Sequence, residues 1–256
     1  GFGRVPLLAE QFWNGLQDFG IVTIPMFLLM GIAVAASPAG KDLYSALDRW
    51  LNKVPGGLVI SNLGACSIFA ALCGSSPATC AAIGKMGIPE MRKRGYSPEL
   101  AAGTICAGGT LGILIPPSIM FIVYAVVAAL SPLRLFAAAM LPGLMLAGLY
   151  IIYVIIAASL NPKLAPKPKL SEIPPRAKIY KDLVVSFLPL FLIIVLVLGS
   201  ILGGLATASE AAAVGAVGAI GLAFFYKTMN WNMFKDSIYL TARSSTMIIW
   251  LFVGSS

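Results

Sequence analysis

The fold is decided by the stretch Phe69-Ala-Ala-Leu-Cys-Gly-Ser-Ser-Pro-Ala-Thr79, a short polar turn between two apolar segments. As helices, segment 57–73 would be about 25 Å long and segment 78–89 about 18 Å, at about 1.5 Å per residue. Both are shorter than the hydrocarbon core of a bilayer, which is about 30 Å thick. The pattern therefore predicts a re-entrant hairpin with its tip at membrane depth. Two short, tilted full spans are the alternative.

A second interruption lies in the next apolar segment, 103–131. It contains Gly109-Thr-Leu-Gly-Ile-Leu-Ile-Pro-Pro-Ser118, and a proline pair cannot continue an α-helix. Non-helical backbone at membrane depth is tolerated only where it is buried in protein or lines a watery cavity. Broken helices also offer carbonyl and hydroxyl oxygens to ions, and helix N-termini to anions. Two such breaks in neighbouring segments therefore predict a binding site.

The composition as a whole indicates a membrane protein. Of 256 residues, 59% are hydrophobic and 11% charged, and the mean hydropathy is +0.90. Soluble domains are about 45–50% apolar and about 25% charged. Further candidate spans are residues 20–37, 135–160, 184–204 and 208–226, and another span begins at 244 and stops short, as expected of a fragment.

Three segments between the spans have other patterns. Segments 41–54 and 230–243 carry apolar residues at helical spacing, which predicts amphipathic helices at the membrane interface. Segment 161–182 is rich in proline and basic residues and is predicted to be a cytoplasmic loop.

Basic residues predict the orientation. The net charge is +8, and every Lys and Arg except Arg4 and Arg134 falls in one of four groups, at 41–53, 85–94, 163–181 and 227–243. The positive-inside rule places all four groups in the cytoplasm, and the number of intervening spans agrees. A nucleic-acid partner would need a contiguous basic face on a soluble module, so none is expected.

Catalytic chemistry is poorly supported. The chain has no histidine, and its four cysteines form no CxxC pair, so neither a general base nor a metal site is indicated. We predict no enzyme activity and no catalytic residues. Glu210 is the one acidic residue near an apolar span. It is either a functional carboxylate or, as we favour, a first-turn residue of a helix capped by Ser209.

Several stretches resemble the large membrane subunit of tripartite ATP-independent periplasmic (TRAP) transporters, the C4-dicarboxylate and sialic acid permease family. Gly109–Ser118 is the most specific of them, and they follow the family's order over nearly the whole chain. The others are Ile24-Pro-Met-Phe-Leu-Leu-Met-Gly31, Gly56-Gly-Leu58, Phe69–Thr79, Ile88-Pro-Glu-Met91, Gly95-Tyr96 and Ser209-Glu-Ala-Ala-Ala-Val-Gly215.

The resemblance implies an all-α polytopic membrane protein with an ion-transporter-type fold, built from inverted repeats with a re-entrant helical hairpin and a broken transmembrane helix. It implies a Na⁺-coupled importer of a small organic anion in the bacterial inner membrane. A periplasmic binding protein would deliver the substrate, and a small membrane subunit would pack against the scaffold. The transport domain would carry the substrate across the membrane by an elevator motion. No cofactor other than the coupling ion is expected. A two-component Na⁺/carboxylate symporter that works without a binding protein is the alternative.

The resemblance also assigns site residues. The expected Na⁺ ligands are Gly74, Ser75, Ser76, Thr79, Gly109, Thr110, Gly112, Ile115 and Pro116. The expected substrate contacts are Ser76, Pro77, Thr110, Pro117 and Ser118. Glycine and isoleucine would contribute carbonyl oxygens, and serine and threonine hydroxyls.

The implied organisation has four parts. Residues 1–56 form a scaffold helix and an amphipathic arm, and 57–131 form half of a transport domain, with the hairpin at 57–90 and the broken helix at 97–131. Residues 132–229 form scaffold helices, and 230–256 form a second arm and the start of an inverted second repeat. The second hairpin of the family pattern lies beyond this sequence.

Overall fold

The computed structural model describes residues 13, 17, 19–51, 54–162, 164–166 and 176–255. In those residues a short 3₁₀ helix, Phe19–Val22, is followed by ten α-helices and no strand, so the predicted all-α fold is confirmed. The helices are α1 (Thr23–Ala36), α2 (Pro38–Leu51), α3 (Gly57–Cys73), α4 (Ser76–Lys93), α5 (Pro98–Leu114), α6 (Ile119–Val127), α7 (Pro132–Leu160), α8 (Arg176–Leu202), α9 (Ala208–Phe225) and α10 (Trp231–Ser255).

Helices α1 and α9 pack closely against each other. The buried face of α9 is made of alanine and glycine, which lets the two backbones approach. A Cβ atom at Gly215 would lie 2.5 Å from the sulfur of Met30 and 2.7 Å from Val197, so a larger residue here would have to displace these side chains. The hydroxyls of Thr23 and Ser209 are 2.5 Å apart and join the two helices near their N-termini.

The chain bends by 65° between α1 and α2. Ser37 has extended backbone, and its hydroxyl donates to the carbonyl of Val34, which ends α1. Pro38 then opens α2, because proline suits the first turn of a helix. The amphipathic helix predicted at 41–54 is confirmed in type but begins three residues earlier. Its buried face includes Leu43 and Leu47.

The hairpin consists of α3 and α4, separated by Gly74 and Ser75. The second arm was predicted at 78–89 and is longer at both ends, because α4 begins at Ser76 and continues through Pro89 to Lys93. Just beyond its end, Gly95 has a φ of +74°, and the Tyr96 amide donates to the carbonyl of Met91. The second half of α4 carries charged residues, so only its first half suits the membrane interior. This distribution favours the re-entrant arrangement over a full span.

The predicted broken helix is confirmed. Helices α5 and α6 are separated by residues 115–118 and meet at a bend of 41°. Helix α7 packs beside this break and beside the hairpin. A Cβ atom at Gly143 would lie 3.2 Å from the carbonyl oxygen of Leu114, and one at Gly56 would lie 3.0 Å from Val154. Helix α7, predicted to belong to the scaffold, thus packs against the hairpin and the broken helix, which were predicted to belong to the transport domain. The division into these two parts stays a prediction.

Two segment predictions need correction. Helix α8 already begins at Arg176, inside the predicted loop 161–182, while residues 167–175 of that loop lie outside the described residues. The amphipathic helix at 230–243 and the span starting at 244 are one continuous helix, α10. No glycine or proline separates the two parts, and the hydroxyls of Thr241 and Thr246 bond to carbonyls of the preceding turn, so nothing interrupts the helix.

Three helical stretches of the described chain are long and apolar enough to cross a membrane: Pro132–Leu160, Leu183–Leu202 and Ala208–Phe225. The number rises to five if each bent pair counts as one span. Side chains such as Leu141, Leu149 and Val195 are exposed on these helices, as expected for surfaces that face lipid.

Candidate functional site

The two breaks predicted from the sequence are in direct contact. The amide of Ile119, the first residue of α6, donates a 3.0 Å hydrogen bond to the carbonyl of Gly74 in the hairpin turn. A Cβ atom at Gly74 would lie 2.6 Å from the carbonyl oxygen of Pro117. Gly74 also has a φ of +59°, which side-chain-bearing residues rarely adopt. The hairpin tip is therefore fixed on the break between α5 and α6.

Glycines on α5 bring the start of α4 into the same junction. A Cβ atom at Gly112 would lie 2.7 Å from the carbonyl oxygen of Ser75 and 2.8 Å from the amide nitrogen of Ser76. One turn earlier, a Cβ atom at Gly109 would lie 2.9 Å from the Cβ of Cys80. Five of the predicted ligand positions therefore lie close together: Gly74, Ser75, Ser76, Gly109 and Gly112. The absence of a side chain at Gly109 and Gly112 allows α5 to approach α4 closely.

Four helix ends meet at this junction. Helices α3 and α5 end here, and their last carbonyl groups have no partner within the helix. Helices α4 and α6 begin here, and a helix N-terminus carries a partial positive charge. Carbonyl-rich ends suit a cation and N-termini suit an anion, so the arrangement offers complementary sites for both.

Thr79 stands out among the hydroxyls of the junction. Its side chain is fully buried in the first turns of α4, and its Oγ1 has no hydrogen-bond partner among the described residues. Leaving a buried hydroxyl unpaired costs about 1–3 kcal/mol. A bound cation that accepts this oxygen as a ligand would remove that cost.

Other predicted ligands are engaged locally or lie near the surface. The hydroxyl of Thr110 is exposed, donates to the carbonyl of Ala107 at 2.7 Å and lies 3.2 Å from the hydroxyl of Tyr150. Ser118 is buried, and its hydroxyl donates to the carbonyl of Ile113 at 2.7 Å.

The remaining predicted positions differ in burial. Ile115, Pro116 and Pro117 are buried, Ser75 and Ser76 are half-buried, and Pro77 is exposed. Segments 54–84 and 100–133, which contain the junction, have no charged residue. Hard cations prefer oxygen ligands, and a cation held here would be bound by neutral oxygens alone.

Glu210 has a structural partner. Thr207, not Ser209, caps α9, so the predicted cap was wrong by two residues. The Glu210 carboxylate accepts hydrogen bonds of 2.8 Å from both the amide and the hydroxyl of Thr207, which completes a capping box. Ser209 is occupied by its contact with Thr23. Glu210 thus fits the cap interpretation.

Sequence reasoning missed an ion-pair cluster at the end of the hairpin opposite its tip. Arg94 donates to both carboxylate oxygens of Asp48, at 2.6 and 3.0 Å, and to Glu90 at 3.1 Å. Burial raises the pKa of the Asp48 carboxyl, and the hydrogen bonds from Arg94 oppose that rise. The four-residue spacing of Glu90 and Arg94 was a visible signal, but nothing local points to Asp48.

Comparison with known proteins settles the family. The protein-family model described as "Tripartite ATP-independent periplasmic transporter, DctM component" matches residues 3–256. The chain belongs to this family. The family resemblance found in the sequence is therefore confirmed, and the protein is a multi-pass inner-membrane protein.

Curated relatives agree with this assignment. The chain is 35% identical over 97% of its length to the C4-dicarboxylate TRAP transporter large permease protein DctM of Pseudomonas aeruginosa, of which it covers 57%. It is 39% identical over 87% of its length to the protein of that name from Vibrio cholerae, of which it covers 48%. It is 34% identical over 96% of its length to the isethionate TRAP transporter permease protein DctMQ of Oleidesulfovibrio alaskensis, of which it covers 39%. The chain thus spans about half the length of these relatives.

Proposed function

We propose that this chain is part of the large permease subunit of a secondary transporter that imports a small organic anion together with Na⁺. The observation that carries the proposal is the contact between the two helix breaks, through Ile119, Gly74 and Gly112. It gathers neutral oxygens and helix ends at one point in segments that have no charged residue. The role is transport and not catalysis.

The Na⁺ assignment rests on the oxygens at the junction. Carbonyl groups of α3 and α5 and the unpaired Thr79 hydroxyl are suitable ligands. The predicted ligands Gly74, Ser75, Ser76, Gly109, Gly112, Ile115 and Pro116 all lie in or next to the two breaks. Thr110 lies between Gly109 and Gly112 on α5, and its hydroxyl contacts that of Tyr150 on α7.

The substrate proposal follows from the helix N-termini. Helices α4 and α6 begin at Ser76 and Ile119 and favour negative charge at the junction. The relatives named above carry C4-dicarboxylate and isethionate in their names, and both are small anions. We therefore propose a C4-dicarboxylate, sugar acid or similar carboxylate as the substrate, with Ser76, Pro77, Thr110, Pro117 and Ser118 next to it.

The proposed cycle also needs partners and motion. A periplasmic binding protein delivers the substrate, and a small membrane subunit packs against the lipid-facing helices. The part that contains the two breaks then moves across the membrane as an elevator, which exposes the site to each side in turn.

The test is uptake of the labelled anion and of ²²Na⁺ into proteoliposomes. The sample contains the full-length parent chain, its small subunit and its binding protein. Ser76→Ala and Thr110→Ala are compared with Ser67→Ala, whose hydroxyl bonds within α3 to the carbonyl of Leu63. We expect uptake that requires both Na⁺ and the binding protein. Each site variant should lose about tenfold in Na⁺ affinity, which corresponds to about 1.4 kcal/mol, and Ser67→Ala should match the wild type.

Each other outcome has a distinct meaning. Na⁺-dependent uptake that is unaffected by Ser76→Ala and Thr110→Ala would keep the transporter and reject these two ligands. Uptake without the binding protein would favour the two-component symporter. The absence of any Na⁺ dependence would reject the coupling ion.

A further inference from the structure

A large cavity lies between α4 and the bend that joins α1 to α2. Its volume is about 840 Å³, within the range of about 300–1,000 Å³ that holds small organic ligands. One end reaches Cys73 and Ala78, which flank the hairpin tip. The other end reaches Glu90 and Arg94, at the end of the hairpin that the basic residues place in the cytoplasm. The cavity therefore connects the tip region with the cytoplasmic surface.

Small side chains keep this passage open. On α4 the small lining residues Ala78, Ala81 and Ala82 lie three and four positions apart, on one face of the helix that continues to Lys85. The facing wall on α1 contains Gly31, Ala35 and Ala36 beside the larger Ile32. A passage lined in this way leaves room for a molecule the size of a dicarboxylate.

The charges that line the cavity favour an anion. Both acidic residues of the lining, Asp48 and Glu90, are bound by Arg94. Lys41 and Lys85 also line the cavity, are exposed, and form no ion pair with a carboxylate of the described residues. With both carboxylates paired, the lining has an excess of positive charge, which raises the local concentration of anions.

We propose that this cavity is the route by which the transported anion is released to the cytoplasm, with Lys41 and Lys85 of its lining binding the acidic group. The inference rests on the proposed function and extends it, because none of these residues belongs to the junction of the two breaks. The alanine face of α4 guides the anion from the hairpin tip, and the two lysines draw it outward. Acidic groups already paired with Arg94 do not repel it.

The test measures charge-selective access to the cavity in the full-length transporter. Ala81→Cys is introduced after all native cysteines are replaced, in a background that retains anion uptake. Inside-out vesicles are treated with the anionic sulfonatoethyl and the cationic trimethylammonioethyl methanethiosulfonates. Ala102→Cys, exposed on α5 outside the cavity, is the control position. The quantity compared is the ratio of the labelling rate with the anionic reagent to that with the cationic reagent. We expect this ratio to be about threefold or more higher at Ala81→Cys than at Ala102→Cys.

Lysine variants identify the source of that preference. Lys85→Gln and Lys41→Gln should each reduce the ratio toward the control value, Lys85→Arg should retain it, and a C4-dicarboxylate should slow the labelling. Lys93→Gln removes a charge from the same helix outside the cavity and should change nothing. The same variants are assayed for uptake, where Lys85→Gln should slow release several-fold and leave the Na⁺ dependence unchanged.

The outcomes separate this inference from the proposed function. Equal ratios at Ala81→Cys and Ala102→Cys, or no labelling at Ala81→Cys, in a transporter that still imports the anion would overturn the release route alone. A charge-selective cavity in a reconstituted complex that imports no anion under any condition would overturn the proposed function, and the release route with it.

Discussion

The amide of Ile119 donates a 3.0 Å hydrogen bond to the carbonyl oxygen of Gly74, which joins the start of α6 to the turn of the hairpin. The bond links two backbone groups from separate interruptions of the helical chain. Its geometry depends on positions where a side chain would not fit, because a Cβ atom at Gly74 would meet the carbonyl of Pro117. Close packing between the breaks, and not a charged residue, therefore holds the candidate site together.

Gly112→Ala should separate the two breaks. The added methyl group would lie 2.7 Å from the Ser75 carbonyl, and backbone at both sides leaves little freedom to relax. Overpacking of this kind costs about 1–3 kcal/mol. We expect a lower apparent melting temperature in detergent and at least a tenfold loss of uptake, which is roughly 1.4 kcal/mol.

Gly103→Ala is the matched control for this substitution. It lies on the same helix with no neighbouring atom within 4 Å of its Cβ position. Alanine is favoured over glycine within a helix by roughly 0.5–1 kcal/mol, so stability should be equal or higher. Equal tolerance of both variants would contradict the close contact at Gly112.

Thr79→Val should weaken Na⁺ dependence without weakening the fold. The substitution preserves the shape of the side chain and removes a hydroxyl that is buried without a partner. We expect the Na⁺ concentration for half-maximal uptake to rise about tenfold. Without Na⁺, thermal stability should be unchanged or higher, because no unpaired polar atom is buried. Thr79→Ser keeps the hydroxyl and should restore Na⁺ affinity, and an unaltered Na⁺ dependence in Thr79→Val would exclude this ligand.

Arg94→Gln should loosen the arm helix α2 from the hairpin. It leaves the carboxylates of Asp48 and Glu90 without their cation, and the Asp48 side chain is only 13% exposed. Hydrogen bonds to charged groups contribute about 1.5–3 kcal/mol, so a loss of that order is expected in thermal unfolding.

Two further variants check the cause of that loss. The double variant Asp48→Asn/Arg94→Gln should lose less than the sum of the single variants, because the two residues interact directly. Lys93→Gln alters a contact of 3.9 Å by a lysine that is 76% exposed, and should cost less than about 1 kcal/mol. Additive effects at Asp48 and Arg94 would mean that the pair contributes little.

Glu210→Ala should act through stability alone. It removes the carboxylate that completes the capping box with Thr207, and loss of a helix cap costs about 0.5–2 kcal/mol. Thr207→Ala should have a similar effect on the melting temperature. A Glu210→Ala protein of normal stability that no longer takes up the anion would instead establish a functional carboxylate.

The sequence was sufficient for features that depend on local chemistry. The breaks at Gly74-Ser75 and around Pro116-Pro117 follow from residues that cannot continue a helix, and both were predicted. Helix boundaries were less accurate. The second arm of the hairpin was expected to end at residue 89, yet α4 continues to Lys93, and the two segments expected at 230–256 form the single helix α10.

The amino-acid sequence by itself determined that this is an all-α membrane protein with two interrupted helices, since hydrophobicity and helix-breaking residues act locally. Only the tertiary structure decided that the breaks touch, that Thr79 is left unpaired at their junction, and that Arg94 binds Asp48 on another helix. These contacts join residues far apart in the chain. They depend on how whole helices pack, where a missing Cβ at one position admits the backbone of another, and no local pattern encodes that fit.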